Sequence, residues 1–200
     1  MLYTVQKKDI HKAGGILADA FQHDPVWLKL FEGEPNRNQK FQAFFEVPVR
    51  YCIKYGEVYA TSENLEGIAA WIPGRLADMA LWRIILSGAI GPGLRMGFRP
   101  SRKMNPSFEL LQRDRRTHMD GKPYVYLQIV GVATRFQGQG FGGKLIRALL
   151  EKCDRDKLPV YLETETEDNV RMYQRYGFKL LQQITLPNFG LPMWEMVREK

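Results

Sequence analysis

The sequence predicts an α/β (α+β) fold: one domain over residues 1–200, with a mixed central sheet of about six to seven strands flanked by helices. Three observations carry this expectation. Residues 124–132 read YVYLQIVGV, an apolar run of strand length, and lead through a glycine-rich turn into an amphipathic helix. Residues 57–61 and 67–72 look like two strands paired around a polar turn at 62–66. From residue 159 onward strands and a short helix alternate again, the pattern of helices layered on a sheet.

In chain order, residues 5–22 place Ile10, Ala13, Ile16, Leu17, Ala20 and Phe21 at intervals of three and four, which predicts an amphipathic helix. Asp24-Pro25 ends it, and residues 26–31 form a short apolar segment. A second helix covers 38–55, with Phe41, Phe44, Phe45, Val49 and Cys52 turned inward, Pro48 as a point of kinking and Gly56 as its C-terminal cap. Residues 76–90 are a helical run that Gly91-Pro92-Gly93 should stop, and 106–119 form another. Asp120-Gly121 is the turn into the central strand. Beyond the glycine turn, Leu145, Ile146, Leu149, Leu150 and Cys153 recur at helical spacing. Residues 159–163 are then a strand, 168–176 a helix capped by Gly177, and 178–186 and 193–198 the last strands, joined by a loop at 187–192.

Hydrophobic content of 44% and charged content of 26% are ordinary for a soluble globular chain. The best candidate for a membrane span, residues 79–98, is broken by Arg83, Arg95, Pro92 and four glycines, so neither a span nor a membrane partner is expected. The first ten residues lack the basic-then-apolar order of a secretory signal, and two cysteines, Cys52 and Cys153, make no disulfide framework. A cytoplasmic location follows as the expectation. The net charge of +7 favours an anionic partner. Basic residues are spread along the chain without zinc-finger or helix-turn-helix spacing, which argues against nucleic acid and leaves a phosphorylated small molecule. His11, His23 and His118 are isolated, so no metal is expected.

The chemistry centres on Gln137-Gly138-Gln139-Gly140-Phe141-Gly142-Gly143-Lys144. The first amides of a helix have no internal acceptor, and the helix dipole makes that end partly positive. Glycines there let backbone close around a phosphate or pyrophosphate. A Walker loop would need Ser or Thr directly after the lysine, where Leu145 stands. A dinucleotide fold would place its glycines in a first βαβ unit, whereas this turn comes late in the chain.

The stretch resembles the acetyl-CoA motif of the GNAT N-acetyltransferase superfamily, Gln/Arg-x-x-Gly-x-Gly/Ala. Gln137 to Gly142 match it, as does the register from Arg135 to Gly140; the later register starts the helix at Phe141 and is preferred. Asn169, Tyr173 and Gly177-Phe178 match the second signature of the superfamily. The helical insertion at 76–119 and the C-terminal run LPNFGLPMW look most similar to puromycin N-acetyltransferase-like members.

The resemblance implies direct transfer of an acetyl group from acetyl-CoA to a primary amine, without a metal, with an acetyl-CoA-binding core at about 124–178. The amine would belong to a small molecule; protein N-termini or lysines, and a non-catalytic acyl-CoA-binding role, are the alternatives. Oligomeric state stays open, a homodimer included. Val130 and Val132 would present backbone to the pantetheine arm, Gly131 fitting a bulge or a close backbone approach. Gln137, Gly138, Gln139, Gly140, Gly142, Gly143 and Lys144 would hold the pyrophosphate, and Asn169 the pantetheine. Lys144, Arg135 and Arg175 are candidates for the 3′-phosphate. Tyr173 is the expected general acid for the departing thiolate. Glu163, read as a strand-end carboxylate, is the candidate base, with His118 as an alternative. Glu165, Glu167 and Asp168 would attract a cationic amine.

Overall fold

The computed structural model describes residues 1–199. Seven strands form one sheet in the order β1-β2-β3-β4-β5-β7-β6. They are β1 (Tyr3–Thr4), β2 (Glu57–Ala60), β3 (Gly67–Pro73), β4 (Val125–Val132), β5 (Val160–Thr164), β6 (Lys179–Leu186) and β7 (Leu191–Arg198). Every pairing is antiparallel except β4 with β5. The expected mixed sheet is therefore present, at seven strands.

The helices are α1 (Ile10–Ala20), α2 (Pro25–Leu30), α3 (Arg37–Tyr55), α4 (Leu81–Leu86), α5 (Ile90–Met96), α6 (Phe98–His118), α7 (Phe141–Asp156) and α8 (Glu167–Arg175). Strand alternation sorts the core into two layers. Ile68, Ala70, Ile72, Tyr126 and Tyr161 pack against residues of α1, α2, α3 and α6. Ala69, Trp71, Val125, Leu127, Val160 and Leu162 pack against α7 and α8.

Several elements differ from the sequence expectation. The first helix starts at Ile10 rather than near Val5, because Tyr3–Thr4 pairs with β2 as an edge strand. Gly91-Pro92-Gly93 does not stop a helix but lies inside the first turn of α5. A proline there costs no hydrogen bond, since the first amides of any helix lack an intrahelical acceptor. The next helix begins at Phe98, eight residues earlier than 106, and runs through Pro106.

Gly56 caps α3 as expected, its amide donating to the Cys52 carbonyl, but with a φ of −144°, and a Cβ there would sit 2.2 Å from the Trp71 carbonyl oxygen. It is glycine because β3 passes too close for a side chain. Gly131 has a similar reason, since its Cβ would lie 2.9 Å from Leu17 Cδ2 and 3.1 Å from Ala20 and Phe21 of the α1 layer. The bulge itself falls at Gln128, where the β3 partner of Ile129 is Ala70 and that of Leu127 is Trp71. This extra residue reverses the alternation, so that Val130 packs on the α7 side of the sheet and Ile129 on the α1 side.

Candidate active site

The site is built where β4 and β5 part. Their parallel ladder consists of Val125 opposite Val160 and Tyr126 opposite Tyr161. Beyond Tyr126, β4 stays paired to β3 as far as Val132, and β5 stays paired to β7 as far as Thr164. A wedge opens between them, edged by backbone of β4 with no strand beside it. Backbone N–H and C=O groups left along such an edge can take an extended ligand as a further strand.

The glycine turn closes one side of the wedge. Gly138 and Gly140 have φ of +76° and +84°, and no atom lies within 4 Å of a Cβ built at either. They supply a backbone shape that L side chains resist, around open space. The α7 helix begins at Phe141 with Gly140 as its N-cap, matching the preferred register. Gly142 lies against Val132, its Cβ position 3.5 Å from Val132 Cγ2. Gly143 makes room for a neighbour: a Cβ would be 2.7 Å from the Tyr176 hydroxyl. Gln137 donates to the Val132 carbonyl at 3.1 Å, and Gln139 to the Arg135 carbonyl at 3.1 Å, so both glutamines brace the turn.

Lys144 is committed elsewhere. Its amide donates to the Gly140 carbonyl within the helix, and its ammonium donates to the Thr61 carbonyl at 3.1 Å. The expectation that Lys144 faces the 3′-phosphate is not met in this arrangement, because the ammonium ties α7 to the β2–β3 turn instead.

Helix α8 forms the wall beyond β5. Thr166 caps it by accepting from the Asn169 amide at 3.3 Å, which places Asn169 on the first turn. Tyr173, one turn later, is buried against Phe178 with ring centroids 5.4 Å apart. Its hydroxyl makes no hydrogen bond among the described residues. Burial, and then the Glu165 carboxylate, push the Tyr173 phenol up from its ordinary value, so it stays protonated and able to donate.

Glu163, the candidate base, is a buried carboxylate held in an ion pair. Its side chain is 6% exposed and accepts from Arg115 Nη1 at 2.8 Å and from the Tyr126 hydroxyl. Burial raises its pKa, while Arg115 and Tyr126 hold it down in part. Arg115 also reaches Asp78 at 3.0 Å and lies 4.5 Å over the Tyr126 ring. His118, the alternative base, has its Nε2 3.1 Å from Glu195 Oε2 and is a neighbour of this cluster rather than of the wedge.

A second acidic pair stands at the end of β5, and sequence reasoning gave only half of it. Burial pushes Asp24 up to about 6, although its Oδ1 accepts from Val26 and Trp27 amides at 2.9 and 3.4 Å as the cap of α2. Burial and the charge of Asp24 push Glu165 up to about 8. Glu165 thus feels Asp24 from the α1–α3 layer and raises Tyr173 in the α8 layer. The only sequence signal for Asp24 was its place before Pro25, which reads as a helix cap. Glu167 and Asp168 are exposed and ion-paired with Arg171, which makes them a solvated helix start. Among the described residues no group of three or more His, Cys, Asp or Glu could hold a metal ion.

The parting of β4 and β5 and the open glycine turn at the start of α7 leave room for an extended ligand that carries a phosphate group. Comparison with known proteins gives the same direction. Residues 105–178 match the model of the acetyltransferase (GNAT) family. An uncharacterized N-acetyltransferase of Schizosaccharomyces pombe is 32% identical over 98% of this chain and 81% of its own length. A Corynebacterium glutamicum structure described as a histone acetyltransferase and related acetyltransferase superposes with a TM-score of 0.69 at 20% identity, covering 100% of this chain and 95% of that one. A Drosophila melanogaster polyamine N-acetyltransferase does so at 0.65 and 13% identity, over 100% and 99%. With a family model matched over residues 105–178 and a relative 32% identical across nearly the whole chain, the chain belongs to the GNAT family of acetyltransferases and is an acyltransferase.

Proposed function

We propose that this enzyme moves an acetyl group from acetyl-CoA directly to the primary amine of a small molecule. The observation that carries the reading is the wedge between β4 and β5, with the open glycine turn on one face and acidic side chains on the other. The turn fits a pyrophosphate: positive-φ glycines with empty space at each Cβ leave the free amides of Phe141, Gly142 and Gly143 facing outward. Val130 and Val132 lie on the unpaired edge, where main-chain groups suit a pantetheine arm. The Asn169 carboxamide makes no hydrogen bond among the described residues, which leaves it to a ligand in this proposal.

In the reaction the amine must lose a proton and the departing thiolate must gain one. Tyr173, protonated and without a competing hydrogen bond, is the donor in this proposal. The Asp24–Glu165 pair is the acceptor of the amine proton in this proposal, its carboxyl groups being pushed up by burial to about 6 and about 8. Glu163, already accepting from Arg115 and Tyr126, acts on the amine through water or as a fixed negative charge.

A small acceptor is favoured over a peptide by the β6–β7 turn, which is docked rather than open. Phe189 is buried, and the carbonyls of Pro187 and Phe189 accept from Ser107 at 3.0 Å and Lys29 at 2.7 Å. The polyamine substrate of the Drosophila relative points the same way. The test is thiol release from acetyl-CoA across puromycin-like, aminoglycoside, polyamine and peptide amines. Saturable turnover with a small amine is expected. Turnover with peptides alone would replace the acceptor assignment, and binding without turnover at any pH would leave a non-catalytic acyl-CoA-binding role.

A further inference from the structure

The insertion between β3 and β4 carries a surface that the acetyl-transfer chemistry does not use. On α4, Leu81, Trp82, Ile85 and Leu86 are exposed, and their spacing of one, four and five puts them on one helical stripe. On α5, Ile90 and Leu94 are exposed one turn apart, while Pro92 is buried against the body. Phe98 opens α6 at 76% exposure, and Leu81 and Leu94 reach 73% and 77%. Seven large apolar side chains are exposed within eighteen residues of chain, a concentration that soluble monomers rarely leave bare.

The charge around this patch is one-sided. Between Asp78 and Glu109 the chain has no acidic residue and five basic ones: Arg83, Arg95, Arg99, Arg102 and Lys103. From the neighbouring elements, Glu46 pairs with Arg95, and Glu34 lies 3.7 Å from Arg99. Arg83 and Arg102 have no carboxylate partner among the described residues. Arg83 instead lies 4.7 Å over the Trp82 ring, a cation–aromatic pair that keeps charge and apolar surface side by side.

Against the sequence expectation of no membrane partner, we infer that the apolar, arginine-bearing face of residues 81–98 docks the enzyme on an anionic lipid surface. Exposed Trp, Phe and Leu with arginines at their rim is the composition that lies in a membrane interface, the rings at headgroup level and the guanidinium groups against lipid phosphates. Among the described residues no helix is long and apolar enough to cross a membrane, so the contact is peripheral. A second copy of the chain fits less well. Two-fold pairing would press together two copies of a face that has basic but no acidic residues between Asp78 and Glu109, whereas anionic headgroups neutralise it.

Trp82 reports on the contact directly, because Trp27, Trp71 and Trp194 are all buried and Trp82 is 56% exposed. The full chain is titrated with vesicles of phosphatidylcholine alone and of phosphatidylcholine with roughly one-third phosphatidylglycerol, at about 0.1 M salt. Acrylamide quenching and emission wavelength are read at each step. Anionic vesicles should shield Trp82 and shift its emission to the blue, and neutral ones should bind at least about tenfold more weakly. The Arg83→Gln/Arg102→Gln variant should lose roughly tenfold or more in affinity for the anionic vesicles, and Leu94→Ser/Phe98→Ser should lose a comparable amount. Both variants should keep the thiol-release activity of the lipid-free enzyme. Trp82 left equally quenchable by anionic vesicles, shielded by protein concentration alone, or shielded undiminished in both variants would each overturn the proposal.

Discussion

Arg115 on α6 and Glu163 on β5 form a buried ion pair at 2.8 Å, with side chains 4% and 6% exposed. Such a pair is costly to split. Arg115→Met would leave Glu163 among Tyr126, Tyr161 and the β7 carboxylate Glu195, with burial opposing its charge. The expected loss of stability is about 3–5 kcal/mol, read from urea unfolding. Glu163→Gln keeps an acceptor for the guanidinium, and Asp78 still binds it, so the loss should be smaller. Equal losses from the two variants would show that the pair is not what holds α6 to the sheet.

The relation between these two residues also shows what the sequence left illegible. The strand, the glycine turn, the α7 helix and the Asn169–Tyr173 pair lie within one stretch of chain, so local spacing located them. The partner of Glu163 is 48 residues away on a helix whose start was misjudged, and nothing in the local pattern of Arg115 marks it as buried. Asp24 was hidden behind its capping role, and its neighbour Glu165 lies far along the chain, just past the end of β5. Gly56 and Gly131 were recognisable as special positions, but the atoms that exclude a Cβ belong to Trp71 and Leu17, which only the folded arrangement brings near. Glycine and proline at 91–93 read as breakers because helix propensity describes interiors, while these residues occupy a first turn.

Tyr173→Phe should lower turnover by about two to four orders of magnitude, the span of general acid catalysis. The apparent affinity for acetyl-CoA should change less than about twofold, since the proposed role acts on the leaving thiolate. The fold should survive, because the hydroxyl has no hydrogen-bond partner among the described residues and the ring keeps its contact with Phe178. Initial-rate kinetics settle this, and unchanged turnover would remove Tyr173 as the acid.

The glycines of the turn should fail in different ways. Gly140→Val puts a β-branched residue at φ +84°, a strain of about 1–3 kcal/mol, and fills the open side of the turn. Calorimetric titration should find no saturable acetyl-CoA binding. Gly143→Ala instead presses its Cβ on the Tyr176 hydroxyl at 2.7 Å. Removing that oxygen in Gly143→Ala/Tyr176→Phe should restore a large part of the lost binding, an interaction that a double-mutant cycle measures. Additive effects would mean that the close approach is not what requires glycine at position 143.

The acidic pair at the end of β5 predicts opposite pH trends for activity and stability. If the deprotonated Asp24–Glu165 pair accepts the amine proton, kcat/KM should rise with pH through about 6 to 8, the values to which Asp24 and Glu165 are pushed. Glu165→Gln should lower the plateau and move or abolish that limb. Stability runs the other way. Burial raises the folded-state pKa of Glu165 above its unfolded value, so between about 4.5 and 8 the folded state binds more protons than the unfolded one. Stability is therefore greatest at the acid end of that window and falls as pH rises through it. The loss should be on the order of 1–2 kcal/mol after allowance for partial solvent access. In Glu165→Gln the slope should flatten, and the variant should be the more stable protein at pH 8. Thermal unfolding from pH 5 to 8 in both proteins decides the matter: parallel curves would mean that Glu165 is not held protonated by the fold, and the pair would lose its claim to the proton.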